Sequence, residues 1–330
     1  MGIKNLSKIL SEKTPNYINK ITLKDLSNKI VAVDASIIMY KYVSAIRNSG
    51  DDLKTSNGKS TSHIYGILIK IINMLKLNII PVFVFDNKPS ELKDKVIYDR
   101  LNIKKKALDK LANADNSEDK IKFFKQSVSI SYEEMLEARE IANLLGIYTI
   151  IAKEEADSQC AYMSINNLVD YVVSEDMDLL TFGTKNLIRD FLKKNMYNIS
   201  IDNVLIEANI NMDQFIDICI LLGCDYSDTI KGIGKKKAWD LILKYQSIEN
   251  LIIKDNNIKI HKYVLPNNFR YIEARNYFKN PIYNKVLKKD LILKDPDINN
   301  LKLILVEKYE FNENKIDKLL SFFDKDIFVN

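Results

Sequence analysis

The chain has 330 residues, and its hydrophobic content of 46% and charged content of 28% are typical of a folded globular protein, not of a disordered one. Two histidines and three scattered cysteines leave almost no ligands for a Cys/His zinc site and suit a reducing compartment. The net charge of +5 permits a polyanionic partner, while no apolar run approaches a membrane span and the first residues do not form a signal-peptide pattern.

The first part of the chain reads as helices between apolar strands. The expected elements are a short amphipathic helix and a linker within 1–30, a helix from Ser36 to about Arg47, a loop over 48–60 and a helix that begins at Thr61-Ser62-His63. His63 is expected to be a hydrogen-bonded structural residue rather than a catalytic one.

Three apolar, β-branched runs end in acidic residues, and such runs are typical of buried strands. The runs are 30–33, 79–85 and 171–174, and the acids that follow them are Asp34, Asp86, Glu175, Asp176 and Asp178. If the last run stays extended, Asp176 and Asp178 point to the same side, where two carboxylates repel each other unless a cation or a proton intervenes. For the last run alone, a solvated turn after a strand is the alternative. Because ligands bind beyond the carboxyl ends of strands in open α/β sheets, the recurrence favours one acidic pocket.

Residues 88–130 are rich in Lys, Asp and Asn, and their apolar spacing is weak. For residues 107–126 we favour a solvated helix or a mobile segment. The basic residues within 93–106 begin seven residues after an acidic strand end, so they could face a phosphate that is held at the same pocket.

The remaining pattern continues the alternation and then becomes helical. It predicts a helix over 131–145 that Gly146 closes, a strand over 147–152, a helix from Glu154, a strand near 186–191, a helix from Asp213 to Leu222 and mainly helix over 240–330. The acids of 154–157 are by themselves typical of helix caps and dipole partners. Basic residues after Gly232-Ile233-Gly234 open another helix, which could offer backbone N–H groups and charge to phosphates.

Taken together, ordered blocks along the chain resemble the flap endonuclease family, the structure-specific 5′ nucleases, strongly over residues 1–255 and weakly beyond. The blocks are Met1-Gly2-Ile3, Val33–Ser36 with Tyr40, Thr61–His63, Val84–Pro89 with Leu92-Lys93, Glu155–Asp157 with Cys160-Ala161, Glu175–Asp178 with Leu180–Gly183, Ile220–Tyr226 and Gly232–Gly234.

This resemblance implies an α/β fold, with a central, mainly parallel sheet flanked by helices (a PIN-like 5′ nuclease core), a helical arch and a helix–two-turn–helix. We expect a single nuclease unit over 1–330. Its parts are an N-terminal nuclease region (1–106), an arch or cap segment (107–130), an internal nuclease region (131–255) with the helix–two-turn–helix at about 215–245, and a helical C-terminal region (256–330).

The resemblance also implies a metal site made of carboxylates. The metal ligands carried over by position are Asp34, Asp86, Glu155, Asp157, Asp176, Asp178 and Asp225. Oxygen ligands without His or Cys select Mg²⁺ or Mn²⁺, and two such ions about 4 Å apart can activate a water and neutralise a leaving oxygen. Asp34, Asp86 and Asp178 are expected to be catalytic together with Lys93 and Arg100, which match the basic pair that contacts the scissile phosphate.

DNA contacts follow from the same resemblance. Tyr40 matches a residue that stacks on a base beside the scissile bond, with an ordinary core tyrosine as the alternative. Residues that resemble a pocket for a one-nucleotide 3′ flap are Arg47, Thr61 and Phe311. Residues expected to bind the duplex backbone, together with a K⁺ ion at the glycine turn, are Gly232, Gly234, Lys235 and Lys236.

Three positions depart from the family pattern. Asp157 stands where Glu is usual, and its shorter side chain changes the geometry with which this carboxylate could reach a metal ion. Gln126 stands where many members have a basic arch residue. Phe322-Phe323 resembles the end of a sliding-clamp peptide, but Ile316 occupies the position that requires Gln. We therefore favour a helix that packs its aromatic residues over a clamp-binding motif.

The expected activity is cleavage of DNA at 5′ flaps and 5′→3′ exonuclease action at nicks and gaps, in replication and repair. The alternatives are a related nuclease for other branched DNA or RNA, and a non-catalytic DNA-structure-binding protein. We expect an intracellular monomer, at sites of DNA replication in a nucleus, or in the cytoplasm if the protein is viral or archaeal.

Overall fold

The computed structural model describes residues 2–48, 53–114, 116–193 and 195–323, without the side chains of 46–48, 117 and 125. The chain divides into two compact units. Unit 1 runs from the amino terminus to Asp25 and also contains Asn87–Val96 and Ala152–Lys285. Unit 2 contains Leu26–Asp86, Ile97–Ile151 and the chain from Val286 onward.

The described residues form strands and helices in alternation. The strands are β1 (Ile18–Ile21), β2 (Ile30–Asp34), β3 (Ile80–Phe85), β4 (Tyr148–Ile151), β5 (Tyr171–Val173), β6 (Asn186–Arg189) and β7 (Met196–Ser200). The helices are α1 (Leu6–Lys13), α2 (Ala35–Asn48), α3 (Ser62–Leu75), α4 (Asp94–Ala112), α5 (Ser117–Ser127), α6 (Tyr132–Leu144), α7 (Ala156–Ile165), α8 (Asp178–Thr181), α9 (Ile201–Ala208), α10 (Met212–Leu222), α11 (Lys235–Tyr245), α12 (Ile248–Lys254), α13 (Asn256–Lys259), α14 (Tyr271–Lys279), α15 (Ile298–Leu303) and α16 (Glu313–Leu320).

The strands of unit 1 lie in the order β1-β7-β6-β5. β5 and β6 are parallel, whereas β7 runs antiparallel to both β6 and β1. The apolar residues Val172, Leu187 and Ile188 are buried, so this part of the sheet is covered by packed side chains. The burial of these three side chains holds β5 and β6 in the core of unit 1.

Unit 2 contains β2-β3-β4, and both pairs are parallel. Parallel neighbours require crossover connections, which α2 and α3 supply between β2 and β3. Nearly every residue of β2 and β3 is buried, as expected of strands with both faces covered. The predicted α/β fold with a mainly parallel sheet is thus confirmed.

The third acidic run differs from the prediction, because β5 ends at Val173 and Asp176 and Asp178 do not lie on a strand. The Asp176 N–H donates to Ser174 Oγ at 3.1 Å, and the Asp178 N–H donates to Asp176 Oδ1 at 3.0 Å. Short polar side chains can bind neighbouring backbone groups in this way and replace strand pairing. The chain therefore turns, and Asp178 begins α8.

Other predicted elements need smaller corrections. Asn211, not Asp213, caps α10, since Asn211 and Gln214 form a reciprocal capping box. The segment between α14 and α15 contains only a short 3₁₀ turn, so the C-terminal region is less helical than predicted. The apolar spacing did not indicate β1 and β7, in which only Met196 and Ile199 are buried. No described helix is long and apolar enough to cross a membrane.

Candidate active site

The carboxylates of Asp176 and Asp178 lie together in unit 1 against the backbone of Gly2 and Ile3. Asp178 is 1% exposed, and its Oδ1 accepts a hydrogen bond from the Ile3 N–H at 2.6 Å. Gly2 has a φ of +85°, and a Cβ on it would overlap Asp176 Oδ1 and lie 2.6 Å from Asp178 Oδ1. Only glycine fits there, which explains why the Met-Gly-Ile block matters to a site far away in sequence.

Burial raises the pKa of Asp178 well above its usual range, and the neighbouring Asp176 carboxylate raises it further. The Lys93 ammonium and the Ile3 N–H oppose this rise. A buried carboxylate beside a second one is a position where a cation is favoured over two uncompensated negative charges.

Glu155, Lys93 and Asp225 form a second charged group in the same unit. Lys93 Nζ lies 2.6 Å from Glu155 Oε1 and 3.6 Å from Asp225 Oδ2, and the lysine is 6% exposed. Burial lowers the pKa of Lys93, but Glu155, Asp157 and Asp225 outweigh it and raise the pKa above its ordinary value. Lys93 therefore remains a charged donor at neutral pH.

Two tyrosines that sequence reasoning did not single out contact these acids. The Tyr226 hydroxyl donates to Glu155 Oε2 at 2.7 Å, and the Tyr277 hydroxyl donates to Glu154 Oε2 at 2.7 Å. Tyr226 follows Asp225 directly in a block that matches the family, so it could have been found. Tyr277 lies on the apolar face of α14, and an aromatic residue at such a position is normally interpreted as part of the hydrophobic core.

The other predicted metal ligands lie at the ends or starts of elements. Asp157 is in the first turn of α7, and Asp225 follows the end of α10 at Gly223. Unit 2 holds Asp34 at the end of β2, 5% exposed, and Asp86 directly after β3. Because β2 and β3 are parallel neighbours, the carboxyl ends that carry these two acids share one sheet edge, as predicted.

The donors at these positions are carboxylate oxygens, the ligands that hard divalent cations prefer, so their chemistry fits such an ion. Among the residues that the structure describes, no three His, Cys, Asp or Glu side chains converge closely enough to hold a metal ion. In unit 1 the Lys93 ammonium lies between Glu155 and Asp225 instead.

The predicted DNA-contacting residues at the amino-terminal side lie in unit 2. Tyr40 is 36% exposed on α2, so it is not the core tyrosine of the alternative interpretation. Arg100 is exposed on α4, while the side chain of Arg47 is outside the described part of the chain. Thr61 is buried, and its hydroxyl donates to the Leu53 carbonyl at 3.1 Å.

The segment around Phe311 contacts the loop before Thr61. The Phe311 ring lies 6.0 Å from the ring of Tyr65, and Glu310 accepts hydrogen bonds from the Ser56 N–H and hydroxyl at 2.6 and 2.7 Å. The structure thus brings the predicted 3′-flap residues Thr61 and Phe311 into one region of unit 2.

The glycine turn of unit 1 precedes α11. Gly232 has a φ of +95°, where a Cβ would lie 2.8 Å from the Lys262 carbonyl oxygen, and Gly234 occupies the N-cap position of α11. Lys236 is exposed, whereas Lys235 Nζ lies 2.6 Å from Glu12 Oε1. The helix start therefore offers open backbone N–H groups beside the exposed side chains of Lys236 and Lys237.

Two further expectations concern unit 2. His63 is buried, and its Nε2 lies 3.0 Å from Glu137 Oε2, which suits a structural role. Ile316 is buried at 1% exposure on α16, and the Phe322 and Phe323 rings pack edge to face at 5.1 Å. Phe322 and Phe323 are half-buried in the turn after α16, which ends at Leu320, so they do not belong to the helix as predicted.

Comparisons with known proteins agree with this arrangement. The XPG N-terminal domain model matches residues 1–107, and the XPG I-region model matches residues 146–225. Flap endonuclease 1 of Plasmodium knowlesi is 40% identical over 97% of this chain, and the chain spans 58% of that protein, just over half its length. Flap endonuclease 1 of Brugia malayi is 37% identical over 96% of this chain and 85% of its own.

Among solved structures, flap endonuclease-1 from Methanococcus jannaschii is 27% identical, with a TM-score of 0.71 over 93% of this chain and 95% of its own. The catalytic core of Rad2 in complex with DNA substrate has the same fold, with a TM-score of 0.76 at 22% identity over 98% of this chain and 100% of its own. Because the similarity to the Brugia protein runs along almost the whole chain and most of that relative, this chain belongs to the flap endonuclease family.

Proposed function

We propose that this protein is a structure-specific 5′ flap endonuclease with 5′→3′ exonuclease activity, which hydrolyses DNA phosphodiester bonds at flap junctions, nicks and gaps. The observation that carries the proposal is the Asp176–Asp178 pair, buried against Gly2 and Ile3, in the same unit as the Lys93–Glu155–Asp225 group. Membership of the flap endonuclease family supports the same reaction class.

The charged residues have distinct roles in the proposed reaction. The seven predicted carboxylates would hold two Mg²⁺ ions, or Mn²⁺ in their place; when bound, these ions would activate a water and neutralise the leaving oxygen. Lys93, buried and charged, would donate to a phosphate oxygen and stabilise the negative charge that develops there. Arg100, exposed on α4, is the second residue predicted to contact a substrate phosphate.

The substrate contacts follow from exposure and helix geometry. Tyr40 is exposed enough for a base to stack on its ring, a contact worth about 1–3 kcal/mol. The open start of α11, with Gly232, Gly234 and Lys236, would bind the duplex backbone, with a K⁺ ion at the glycine turn. Thr61, Phe311 and Arg47 would form the 3′-flap pocket.

We further propose that the protein acts as a monomer inside the cell, in DNA replication and repair. Its location would be the nucleus, or the cytoplasm if the protein is viral or archaeal. The motif at Phe322-Phe323 is a poor match for a sliding clamp, because the position that requires Gln is Ile316, which is buried on α16.

The test is incubation of the full chain with a double-flap DNA labelled at its 5′ end, in Mg²⁺ and in EDTA. A short product cut at the flap base, formed only with Mg²⁺ and abolished in Asp178→Asn, is the expected result. Asp178→Asn should still bind the DNA, since it removes a buried carboxylate and not a phosphate contact.

Two alternatives give different results in the same assay. Cleavage of bubbles, four-way junctions or RNA in preference to flaps would point to a related nuclease with another substrate. Tight DNA binding without cleavage in Mg²⁺ or Mn²⁺ would contradict the proposed nuclease activity and would indicate a non-catalytic DNA-structure-binding protein. In that case Asp157→Glu, which restores the longer side chain usual in the family, is the next variant to measure.

A further inference from the structure

Glu155 is held by side chains rather than by its own helix. It occupies the N-cap position of α7 but makes no side-chain cap hydrogen bond, so its carboxylate does not bind the helix N–H groups. Oε1 faces Lys93 Nζ at 2.6 Å, and Oε2 accepts from the Tyr226 hydroxyl at 2.7 Å. The direction of this carboxylate therefore depends on Lys93 and Tyr226.

Tyr277, on α14, also contacts this arrangement. Its hydroxyl donates to Glu154 Oε2 at 2.7 Å and lies 3.5 Å from Glu155 Oε2. Its ring packs against the ring of Tyr226, with centroids 4.7 Å apart. One tyrosine thus contacts both the acid before Glu155 and the tyrosine that holds Glu155.

The backbone of the same segment is fixed as well. The Asn87 N–H donates to the Glu154 carbonyl at 2.7 Å, directly before α7. Phe182 and Phe278 pack edge to face against Tyr226, at 6.3 and 5.1 Å, and leave its ring little freedom. Neither tyrosine can turn its hydroxyl away without disturbing this aromatic cluster, and Tyr226 is 1% exposed.

We propose that Tyr277 is a positioning residue for the metal-binding carboxylate of Glu155, acting through Glu154 and through the ring of Tyr226. This inference rests on the proposed function, because it assigns Glu155 to a divalent cation. Groups that hydrogen-bond metal ligands orient them, and loss of such a group typically weakens metal binding by about 10- to 100-fold. Tyr226 contacts Glu155 directly and Tyr277 mainly indirectly, so we expect the larger effect at Tyr226.

The experiment measures Mg²⁺ binding to the full chain by isothermal titration calorimetry, without DNA, in wild type, Tyr277→Phe and Tyr226→Phe. Phenylalanine keeps the ring and its packing and removes only the hydroxyl. Tyr283→Phe is the matched control, because Tyr283 is in the same unit and stacks on Tyr162 at 3.8 Å, and among the described residues its hydroxyl makes no hydrogen bond to Glu154 or Glu155. Flap cleavage is then followed as a function of Mg²⁺ concentration.

We expect the dissociation constant for Mg²⁺ to rise by about 10-fold in Tyr277→Phe and more in Tyr226→Phe, with Tyr283→Phe unchanged. Excess Mg²⁺ should restore cleavage by Tyr277→Phe, and flap-DNA affinity should stay at the wild-type value. Glu154→Ala, which removes the acceptor of Tyr277 without entering the aromatic cluster, should weaken Mg²⁺ binding in the same direction.

Wild-type Mg²⁺ affinity in both Tyr277→Phe and Glu154→Ala would overturn the inference, even if the wild-type protein cleaves flap DNA as proposed. A lower cleavage rate that excess Mg²⁺ does not restore would also overturn it, because a positioning role acts through the cation. If the wild-type protein neither binds Mg²⁺ nor cleaves flap DNA, the proposed function itself fails.

Discussion

At the scale of single residues, Gly2 is the position in the candidate active site where a side chain has the least space. Its positive φ and its contact with Asp176 and Asp178 are both requirements that only glycine meets. Since the Ile3 N–H also donates to Asp178, the start of the chain is a structural part of the acidic pair. A side chain at position 2 would push the carboxylates from their positions.

We predict that Gly2→Ala lowers the flap cleavage rate by about 100-fold, because a displacement of about 1 Å in a catalytic group can have that effect. Gly58→Ala is the control: Gly58 has a similar φ of +83°, but a Cβ there meets nothing within 4 Å. It should cost about 1 kcal/mol of stability and leave cleavage almost unchanged. Single-turnover rates at saturating Mg²⁺ decide the matter, and equal losses in the two variants would contradict a steric role for Gly2.

At the scale of elements, α10, α12 and α14 are joined by one guanidinium group. Arg275 on α14 donates to Asp217 at 2.7 and 2.8 Å and to Glu249 at 2.6 and 3.0 Å. Asp217 also accepts from the Ile248 N–H at 3.0 Å, at the start of α12. Burial raises the pKa of Asp217 although Arg275 opposes the rise, so this carboxylate depends on its partner. Because α14 also carries Tyr277, the network holds the helix that supports the candidate active site.

We predict that Arg275→Ala lowers the free energy of unfolding at pH 7 by about 3–5 kcal/mol, because it leaves the Asp217 charge buried without its partner. A folded-state pKa above the unfolded one removes stability as pH rises, so the loss should shrink as pH falls toward the ordinary Asp pKa of about 4. Urea unfolding at pH 7 and pH 4.5 measures both effects.

The matched control is Lys279→Ala on the same helix. Lys279 forms an ion pair with Asp213 on α10 at 2.8 Å, but both side chains are largely exposed. An exposed pair contributes about 0–1 kcal/mol, so this variant should unfold almost as the wild type does. Similar losses in the two variants would show that burial of Asp217 is not the cause.

At the scale of the whole molecule, the net charge of +5 and the local charge at α11 would make separable contributions to the proposed DNA binding. The exposed Lys236 lies at the start of α11, while Lys235 is already paired with Glu12. Lys289 is equally exposed but lies in unit 2, in the 3₁₀ turn between α14 and α15. Removing either Lys236 or Lys289 changes the net charge by the same amount.

We predict that Lys236→Ala weakens binding to flap DNA of any sequence and reduces the slope of log affinity against log salt by about 0.9, the value for one lost phosphate contact. Lys289→Ala should leave the slope unchanged. Fluorescence anisotropy over a salt series, with Ca²⁺ in place of Mg²⁺ to prevent cleavage, provides the measurement. Equal slopes in the two variants would mean that net charge alone acts and would remove Lys236 from the duplex contacts.

Local patterns determined much of the fold from the sequence alone. The apolar pattern and the stop at Gly146 predicted the helix over 131–145, and apolar runs that end in acid placed Asp34 and Asp86 at one sheet edge. These signals are readable because caps, glycine stops and strand periodicity involve residues close together in the chain. The same patterns mislead where side chains bind their own backbone, as in the turn that separates Asp176 and Asp178 from β5.

Only the tertiary structure decided which residues support the acids. Ile3 reaches Asp178 across 175 positions, and Tyr277 reaches Glu155 across 122. The apolar periodicity of the sequence does not distinguish Tyr277 from an ordinary core aromatic residue. Its ring is packed as in a core residue, and only its hydroxyl contacts the acids. The sequence by itself shows which residues have side chains that can bind a cation. The direction in which each carboxylate points depends on packing between distant segments, which is settled only when the chain folds.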